Sequence, residues 1–343
     1  NVFQDPRSQF FANEVAGEVA FGCENYGYSH EEIRNHVHRA AADIKIQDIL
    51  DHSLHSLSYG MRQKVAIASA EAIDPEIYVM DEPSANLDIA STYRFADIIR
   101  DLKQQGKTII IAEHRLYYLM NLADRFLCVQ KGKIVREFTA QQMKALSNEE
   151  IRVLGLRTPD LHQIEQAEIP SAATSEVVLE VKKLNHSFGE TIVAKDIDFQ
   201  CCKGEVVALI GPNGTGKSTI GRILAGLLKE KSGEVVLFGK HCRSKGRLGK
   251  VWYIPQDLDS QLFGEDLLDE LTTGAEVNPE RKQAAEEILE ALELMPFVKQ
   301  HPSTLSGGQK QRLALGVALM HEAPIIVLDE PTSGLDGTNM RNV

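Results

Sequence analysis

The sequence has no apolar run approaching the ~18–20 residues that a membrane-spanning helix requires, so none of its 343 residues is expected to cross a bilayer as a helix. Positive charge is also scarce. Lys and Arg total 37 against 49 Asp and Glu, a net charge of −12. A broad nucleic-acid surface needs cations to replace phosphate counterions, so no nucleic-acid partner is expected. Five cysteines, Cys23, Cys128, Cys201, Cys202 and Cys242, form no C-x-x-C pair, which argues against a disulfide framework and suits a reduced, cytoplasmic protein. A histidine metal site is not expected either. His36 and His38 are two apart and cannot share a helix face. His52 and His55 could, but no carboxylate or Cys completes a set. No signal peptide or initiator Met is present, and Asn1-Val2-Phe3-Gln4 reads as the inside of a domain, not its start.

What is present is ordinary globular composition, 43% hydrophobic and 25% charged, in a length that allows two domains. The most informative stretch is Gly211-Pro212-Asn213-Gly214-Thr215-Gly216-Lys217-Ser218-Thr219. It follows the apolar run Val206–Ile210, expected to be a buried strand, and precedes residues 220–228, which have helical apolar spacing. Strand, glycine loop, helix is the setting of a phosphate-binding P-loop. Glycines let backbone N–H groups turn toward a polyphosphate, and the helix adds its positive end. Lys217 can reach the β- and γ-phosphates, and Ser218 can ligate Mg²⁺.

The chain repeats itself. Leu57-Ser58-Tyr59-Gly60-Met61 matches Leu305-Ser306-Gly307-Gly308-Gln309, Asp81-Glu82-Pro83 matches Asp329-Glu330-Pro331, and Asn86-Leu87-Asp88 matches Gly334-Leu335-Asp336. The offsets from 57 to 305, from 81 to 329 and from 88 to 336 are each 248. Gln4–Phe11 matches Gln256–Phe263 at an offset of 252, so a few residues were inserted between. Two copies therefore lie in tandem: residues 1–140, a helix and linker over 141–176, and residues 177–343. Arg157–Glu176, with its Pro and Ser residues, is the linker. The first copy's P-loop is expected before residue 1, and the second copy's counterpart of His114 near position 362. Each copy is thus expected to be incomplete, and residues 1–343 alone to bind nucleotide weakly and turn over little ATP.

Local signals fill in the elements. Ser29-His30-Glu31-Glu32 reads as a capping box opening a helix. A helix is expected over 61–73, a buried strand over 77–80, a helix over 89–105 stopped by Gly106, and a buried strand over 108–112. Residues 125–137 read as a hairpin turning at Lys131-Gly132, and 141–155 as a helix. The alternation implies an α/β fold with a mainly parallel sheet.

The P-loop, Leu305-Ser306-Gly307-Gly308-Gln309 and Leu328-Asp329-Glu330-Pro331 together resemble an ABC-type ATPase domain, a P-loop NTPase fold with a helical subdomain. The resemblance implies ATP and Mg²⁺ as cofactors. It assigns Asp329 and Asp81 to Mg²⁺ with Ser218 and Gln256, and Glu330 and Glu82 as general bases for the attacking water. Gln256 and Gln4 are the Q-loop residues, His114 the switch histidine, Phe188 the adenine-stacking aromatic, and Asp88 and Asp336 the D-loop acids. ABC domains pair head to tail. The resemblance therefore gives the nucleotide at Gly211–Thr219 the signature residues Ser58 and Gly60, and gives Ser306, Gly307, Gly308 and Gln309 to the other nucleotide. Tyr59 and Met61 depart from the pattern, so the two sites are expected to be unequal, with the Lys217 site altered.

Residues 4–28, Ile111–Leu116 and Leu154–Arg157 resemble the energy-coupling-factor (ECF) subgroup of importer ATPases. This implies a peripheral subunit on the cytoplasmic face of the membrane. It would drive an integral membrane subunit, and through it a substrate-binding subunit, to take up a vitamin, a vitamin precursor or a transition-metal ion. Segments 10–28 and 262–274 would form the groove for the membrane partner. The alternative is a soluble tandem ABC ATPase acting on ribosomes. The acidic balance of residues 157–176 is unsuited to RNA contact, and the long coiled-coil insert of a DNA-repair ATPase is missing.

Overall fold

The computed structural model describes residues 1–161, 174–274 and 278–342. Residues 162–173 of the expected linker lie outside the described residues. The chain divides into two units, Asn1–Ile164 with Asp336–Thr338, and Glu165–Leu335 with Asn339–Val343.

The first unit opens with helices α1 (Val15–Asn25), α2 (His30–Ile44) and α3 (Tyr59–Ala72), which pack on one another. The Ser29 capping box forms as expected: the hydroxyl accepts from the Glu32 N–H, and Glu32 Oε2 accepts from the Ser29 N–H at 2.8 Å. His36 is used in helix packing, its Nδ1 2.7 Å from the Ala72 carbonyl. Strand β1 (Ile77–Asp81), helix α4 (Ile89–Gln104) and strand β2 (Thr108–Ala112) form a parallel crossover unit. The register pairs Asp81 with Ala112, which brings two loops together at one sheet end: the one after Asp81 and the one after Ala112. Strands β3 (Arg125–Gln130) and β4 (Lys133–Thr139) make the expected hairpin. Lys131 (φ 47°) and Gly132 (φ 74°) both take left-handed angles at its turn, the geometry that matches strand twist.

The helix expected over 141–155 is two, α5 (Ala140–Lys144) and α6 (Asn148–Val153). Ser147 starts the second with its own capping box to Glu150, which interrupts the first. Strand β1 is buried on one face only and β2 is merely half-buried at Ile109 and Ile111, with Ile77, Val79 and Ile110 exposed on the other face, so neither is the fully buried strand expected.

The second unit begins with the four-stranded antiparallel sheet β6-β5-β7-β8, made of β5 (Val177–Phe188), β6 (Thr191–Cys202), β7 (Ser232–Leu237) and β8 (Lys240–His241). This corrects the expectation of a mainly parallel sheet. The turn at Gly189-Glu190 is too short for anything but an antiparallel pair. Helix α7 (Lys217–Leu224) lies between β6 and β7 and buries Ile223 and Leu224 against the sheet core. It is shorter than the helical spacing of 220–228 suggested, ending at the left-handed Gly226. After the short α8 (Ser244–Arg247), strand β9 (Val251–Ile254) pairs in parallel with β10 (Ile325–Leu328). Between them, α9 (Leu267–Thr272), α10 (Pro279–Ala291) and α11 (Gly307–Met320) enclose a separate core that includes Leu271, Leu289 and Leu313. Helix α12 (Gly337–Asn342) follows Asp336.

Val206–Ile210 is not a buried strand. It joins no ladder, and Val206 and Ile210 are 93% and 90% exposed. In the first unit β1 is flanked by β2, and residues 177–342 hold no counterpart of β2 among the described residues. An apolar run becomes a strand only when neighbours take up its backbone groups.

Three pairs of left-handed non-glycine residues are separated by 248: Lys45 and Glu293, Asp74 and Glu322, Glu82 and Glu330. At the first two pairs the repeat extends to backbone angles that no sequence motif marks.

Candidate functional site

In the second unit the loop 211–216 wraps onto the start of α7. Gly216 has φ 95°, and a Cβ there would lie 2.6 Å from Val193 Cγ1 and 2.7 Å from the Val193 carbonyl oxygen. Only glycine fits. The loop can then lead directly into α7, whose first-turn N–H groups have no intrahelical acceptor and form a positive pole. Lys217 Nζ donates to the Gly211 and Pro212 carbonyls, both at 2.9 Å, which holds the ammonium over the loop. Ser218 Oγ donates to Asp329 Oδ1 at 3.0 Å. The pairing of β9 with β10 places Asp329 there, since the Asp329 N–H continues the ladder by donating to the Ile254 carbonyl at 3.0 Å. Gln256, at the same strand end, donates to Ser333 Oγ at 3.4 Å. Asn213 and Gly214 are exposed and Thr219 is half-buried in α7. Phe188 ends β5 and is 54% exposed, its ring edge-on to that of His186 at 4.8 Å.

In the first unit three expected site residues meet. Glu82 Oε2 accepts from Gln4 Nε2 at 3.0 Å, and Glu82 Oε1 lies 3.2 Å from His114 Nε2. Asp81 repeats the position of Asp329, its N–H donating to the Val2 carbonyl at 3.0 Å. Glu82 and Glu330 have φ of 40° and 49°. This conformation costs a non-glycine residue about 1–3 kcal/mol and concentrates at functional sites.

The two signature helices differ at their first turns. Ser306 caps α11, and Gln309 Oε1 returns the bond by accepting from the Ser306 N–H at 2.8 Å. Ser58 caps α3, but Met61 has no oxygen to return the bond. Tyr59 adopts ordinary helical backbone, so no unusual angle accompanies the loss of Gly. Its hydroxyl donates to the Gln4 carbonyl, and burial pushes the phenol pKa up. The ring thus turns toward the Q-loop of its own unit. Gly307 and Gly308 open α11, and a Cβ on Gly308 would lie 2.4 Å from Asn339 Cγ. Asp88 caps α4, its Oδ1 accepting from the Ser91 N–H at 2.7 Å.

A family model described as ABC transporter matches residues 1–85 and 194–333. The chain belongs to the ABC transporter family of ATP-binding proteins. As an ABC ATPase it binds and hydrolyses ATP. A Treponema denticola protein provisionally named as an ABC transporter ATP-binding protein is 39% identical over 347 residues, covering 100% of this chain and 71% of that one. A Bacillus subtilis protein provisionally named HMP/thiamine import ATP-binding protein YkoD is 31% identical, covering 98% of this chain and 66% of its own. Among solved structures, the complex of archaeal ribosomal stalk protein aP1 with ribosome recycling factor aABCE1 superposes with a TM-score of 0.61 at 25% identity, over 96% of this chain and 61% of that one.

Several residues of this ABC ATPase site were not legible as motifs. Tyr253 donates its hydroxyl to Asp329 Oδ2 at 2.7 Å, and burial with that bond raises its pKa. Glu18 is buried, and its Oε2 accepts from the N–H groups of Phe11 (2.8 Å) and Ala12 (3.0 Å). Glu270 does the same for Phe263 (2.7 Å) and Gly264 (2.5 Å). The offset of 252 shared by the Gln4 and Gln256 segments was the available signal, since it also relates Glu18 to Glu270.

The His114 imidazole has its pKa raised above the ordinary 6.5, chiefly by the hydrogen bond to Glu82, with burial opposing. A raised folded pKa contributes stability that is fully present below 6.5 and fades as pH rises through the folded value. The denaturation midpoint of the wild type should exceed that of His114→Gln at pH 6, and the gap should shrink toward pH 8–9. Urea melts across that range check it, and a gap that widens with pH would contradict the assignment.

Proposed function

We propose that this ABC ATPase powers an importer of the energy-coupling-factor type, taking up a vitamin, a vitamin precursor or a transition-metal ion. In this reading it sits peripherally on the cytoplasmic face of the membrane. It engages an integral membrane subunit directly and a substrate-binding membrane subunit through it. Glu82 and Glu330 act as general bases, and Gln4 and His114 hold Glu82. Phe188 stacks on the adenine. The carboxylate of Asp329 beside the Ser218 hydroxyl has the donor set of a Mg²⁺ site, completed by Gln256. Asp81 has that role in the first copy. When bound, the ion would neutralise phosphate charge.

The observation that carries the importer reading is the pair of loops behind the Q-loop glutamines. Phe11 and Phe263 are 73% and 78% exposed, yet each loop is tied down by a buried glutamate. Holding a large aromatic in water on a fixed backbone favours a partner that covers it. Phe11 is further supported by stacking on Phe21 at 4.7 Å. Among the described residues no helix is long and apolar enough to cross a membrane, so that partner would supply the membrane path. The import name of the Bacillus subtilis relative agrees.

The ribosomal reading draws on the structural likeness to the archaeal recycling factor. Affinity purification of the full-length protein from detergent-solubilised membranes separates the two. Integral membrane subunits should copurify, and Phe11→Ala with Phe263→Ala should weaken that capture about 10-fold, the scale of losing exposed aromatic anchors. Capture of ribosomes without membrane subunits would overturn the importer reading.

A further inference from the structure

Strand β2 is followed by Glu113-His114-Arg115, in which His114 meets Glu82. The two neighbours of His114 are more heavily bonded than it is. Glu113 Oε1 accepts from the backbone N–H groups of His114 (2.8 Å) and Arg115 (3.0 Å). Glu113 Oε2 accepts from Ser84 Oγ (2.6 Å) and from the buried hydroxyl of Tyr118 (2.9 Å). One carboxylate thus fixes the turn that carries His114 and reaches across to the loop that follows Glu82.

Arg115 reaches across to the same loop. Its Nη1 donates to the Ser84 carbonyl (3.0 Å) and the Leu87 carbonyl (2.7 Å), and its Nη2 to the Ala85 carbonyl (2.9 Å). Residues 84, 85 and 87 are buried in a stretch that is neither helix nor strand. Buried carbonyls without a ladder need donors from elsewhere. A guanidinium supplies several in a fixed plane, which a lysine ammonium cannot reproduce.

We propose that Glu113 and Arg115 lock the loop from Pro83 to Asp88 onto the switch turn, and so act as positioning residues for hydrolysis at Glu82. The lock makes one rigid piece of the segment between Glu82 and Asp88 and the segment bearing His114. It sets the 3.2 Å separation between His114 Nε2 and Glu82 Oε1 from the histidine side, while Gln4 holds the carboxylate from the other. Neither residue touches nucleotide in this account. The inference rests on the reading of Glu82 as base and His114 as its partner.

Arg115→Lys and the isosteric Glu113→Gln test it in the full-length protein. Lysine keeps the charge but loses the planar fork. Glutamine keeps the shape, but its amide nitrogen cannot accept from Ser84, Tyr118 or the backbone. Pre-steady-state hydrolysis at saturating ATP is the measurement, because the rate constant of its first phase does not depend on the fraction of active protein whereas the amplitude does. Each variant should lower that rate constant about 10-fold, as small misplacements of reacting groups do, with the burst amplitude and ATP affinity unchanged. A merely structural role would lower the amplitude and leave the rate constant alone, and that result overturns the lock. Glu82→Gln is the control. If it removes the Glu82 site's share of the phase while both other variants keep the wild-type rate constant, the lock fails and the base assignment stands. If Glu82→Gln leaves both the wild-type rate constant and the wild-type amplitude, the base assignment fails and the lock with it.

Discussion

Replacing Glu82 with glutamine should remove most of the ATP turnover of the full-length protein, a loss of about 10²-fold or more, the scale of a lost general base. Glutamine keeps the volume and can still meet Gln4 and His114, so folding should be untouched and the loss should fall on kcat. Glu82 is held by Gln4 at 3.0 Å and His114 at 3.2 Å in a left-handed backbone. That environment fixes one carboxylate in a single orientation. Glu330→Gln should cost less. Steady-state rates of the two variants, measured side by side, decide the matter. Equal losses would contradict the inequality expected from Tyr59 and Met61.

The second large effect is on binding. Lys217→Ala should weaken ATP binding at the Gly211–Thr219 loop by at least 10-fold, measured by titration calorimetry. The ammonium makes two bonds at 2.9 Å to loop carbonyls, and a bound polyphosphate would offer it charged acceptors. A cation paired with an anionic phosphate gains Coulomb attraction that neutral carbonyls do not give, so removing it costs the complex more than it costs the free protein. The side chain is only half-buried, and surface substitutions typically shift stability by about 0.5 kcal/mol or less. The thermal midpoint should therefore barely move. An affinity within 2-fold of wild type would show that the loop does not grip phosphate through Lys217.

The candidate site was legible where chemistry sits in consecutive residues. The P-loop glycines, the Asp-Glu pairs and the histidine after β2 were all readable, because each follows from a strand end or a helix start. The capping box at Ser29 and the turn at Lys131-Gly132 were readable for the same reason: their bonds are local. Val206–Ile210 failed because strand formation depends on neighbours, which an apolar run does not reveal. The antiparallel sheet of the second unit was not legible because its long strands β5 and β6 carry no motif and their pairing is set by the short turn at Gly189-Glu190. Glu113, Arg115, Glu18 and Glu270 are charged residues that would ordinarily be assigned to a solvated surface. Their roles come from bonds that folding completes, and only the 252-residue offset shared by Glu18 and Glu270 hinted at any of them.

The buried glutamates behind Phe11 and Phe263 have a consequence for how such a protein could diversify. Each fixes the main chain of a loop through two N–H groups and asks nothing of the side chain at the tip. The fold's investment in the loop is therefore separate from the residue displayed on it. If these loops dock on a membrane partner as proposed above, a change at either tip would alter which component is recognised without disturbing the strand, the Q-loop glutamine or the carboxylates behind it. One ATP-consuming engine could in this way be refitted to different membrane parts by exchanging a few exposed aromatics.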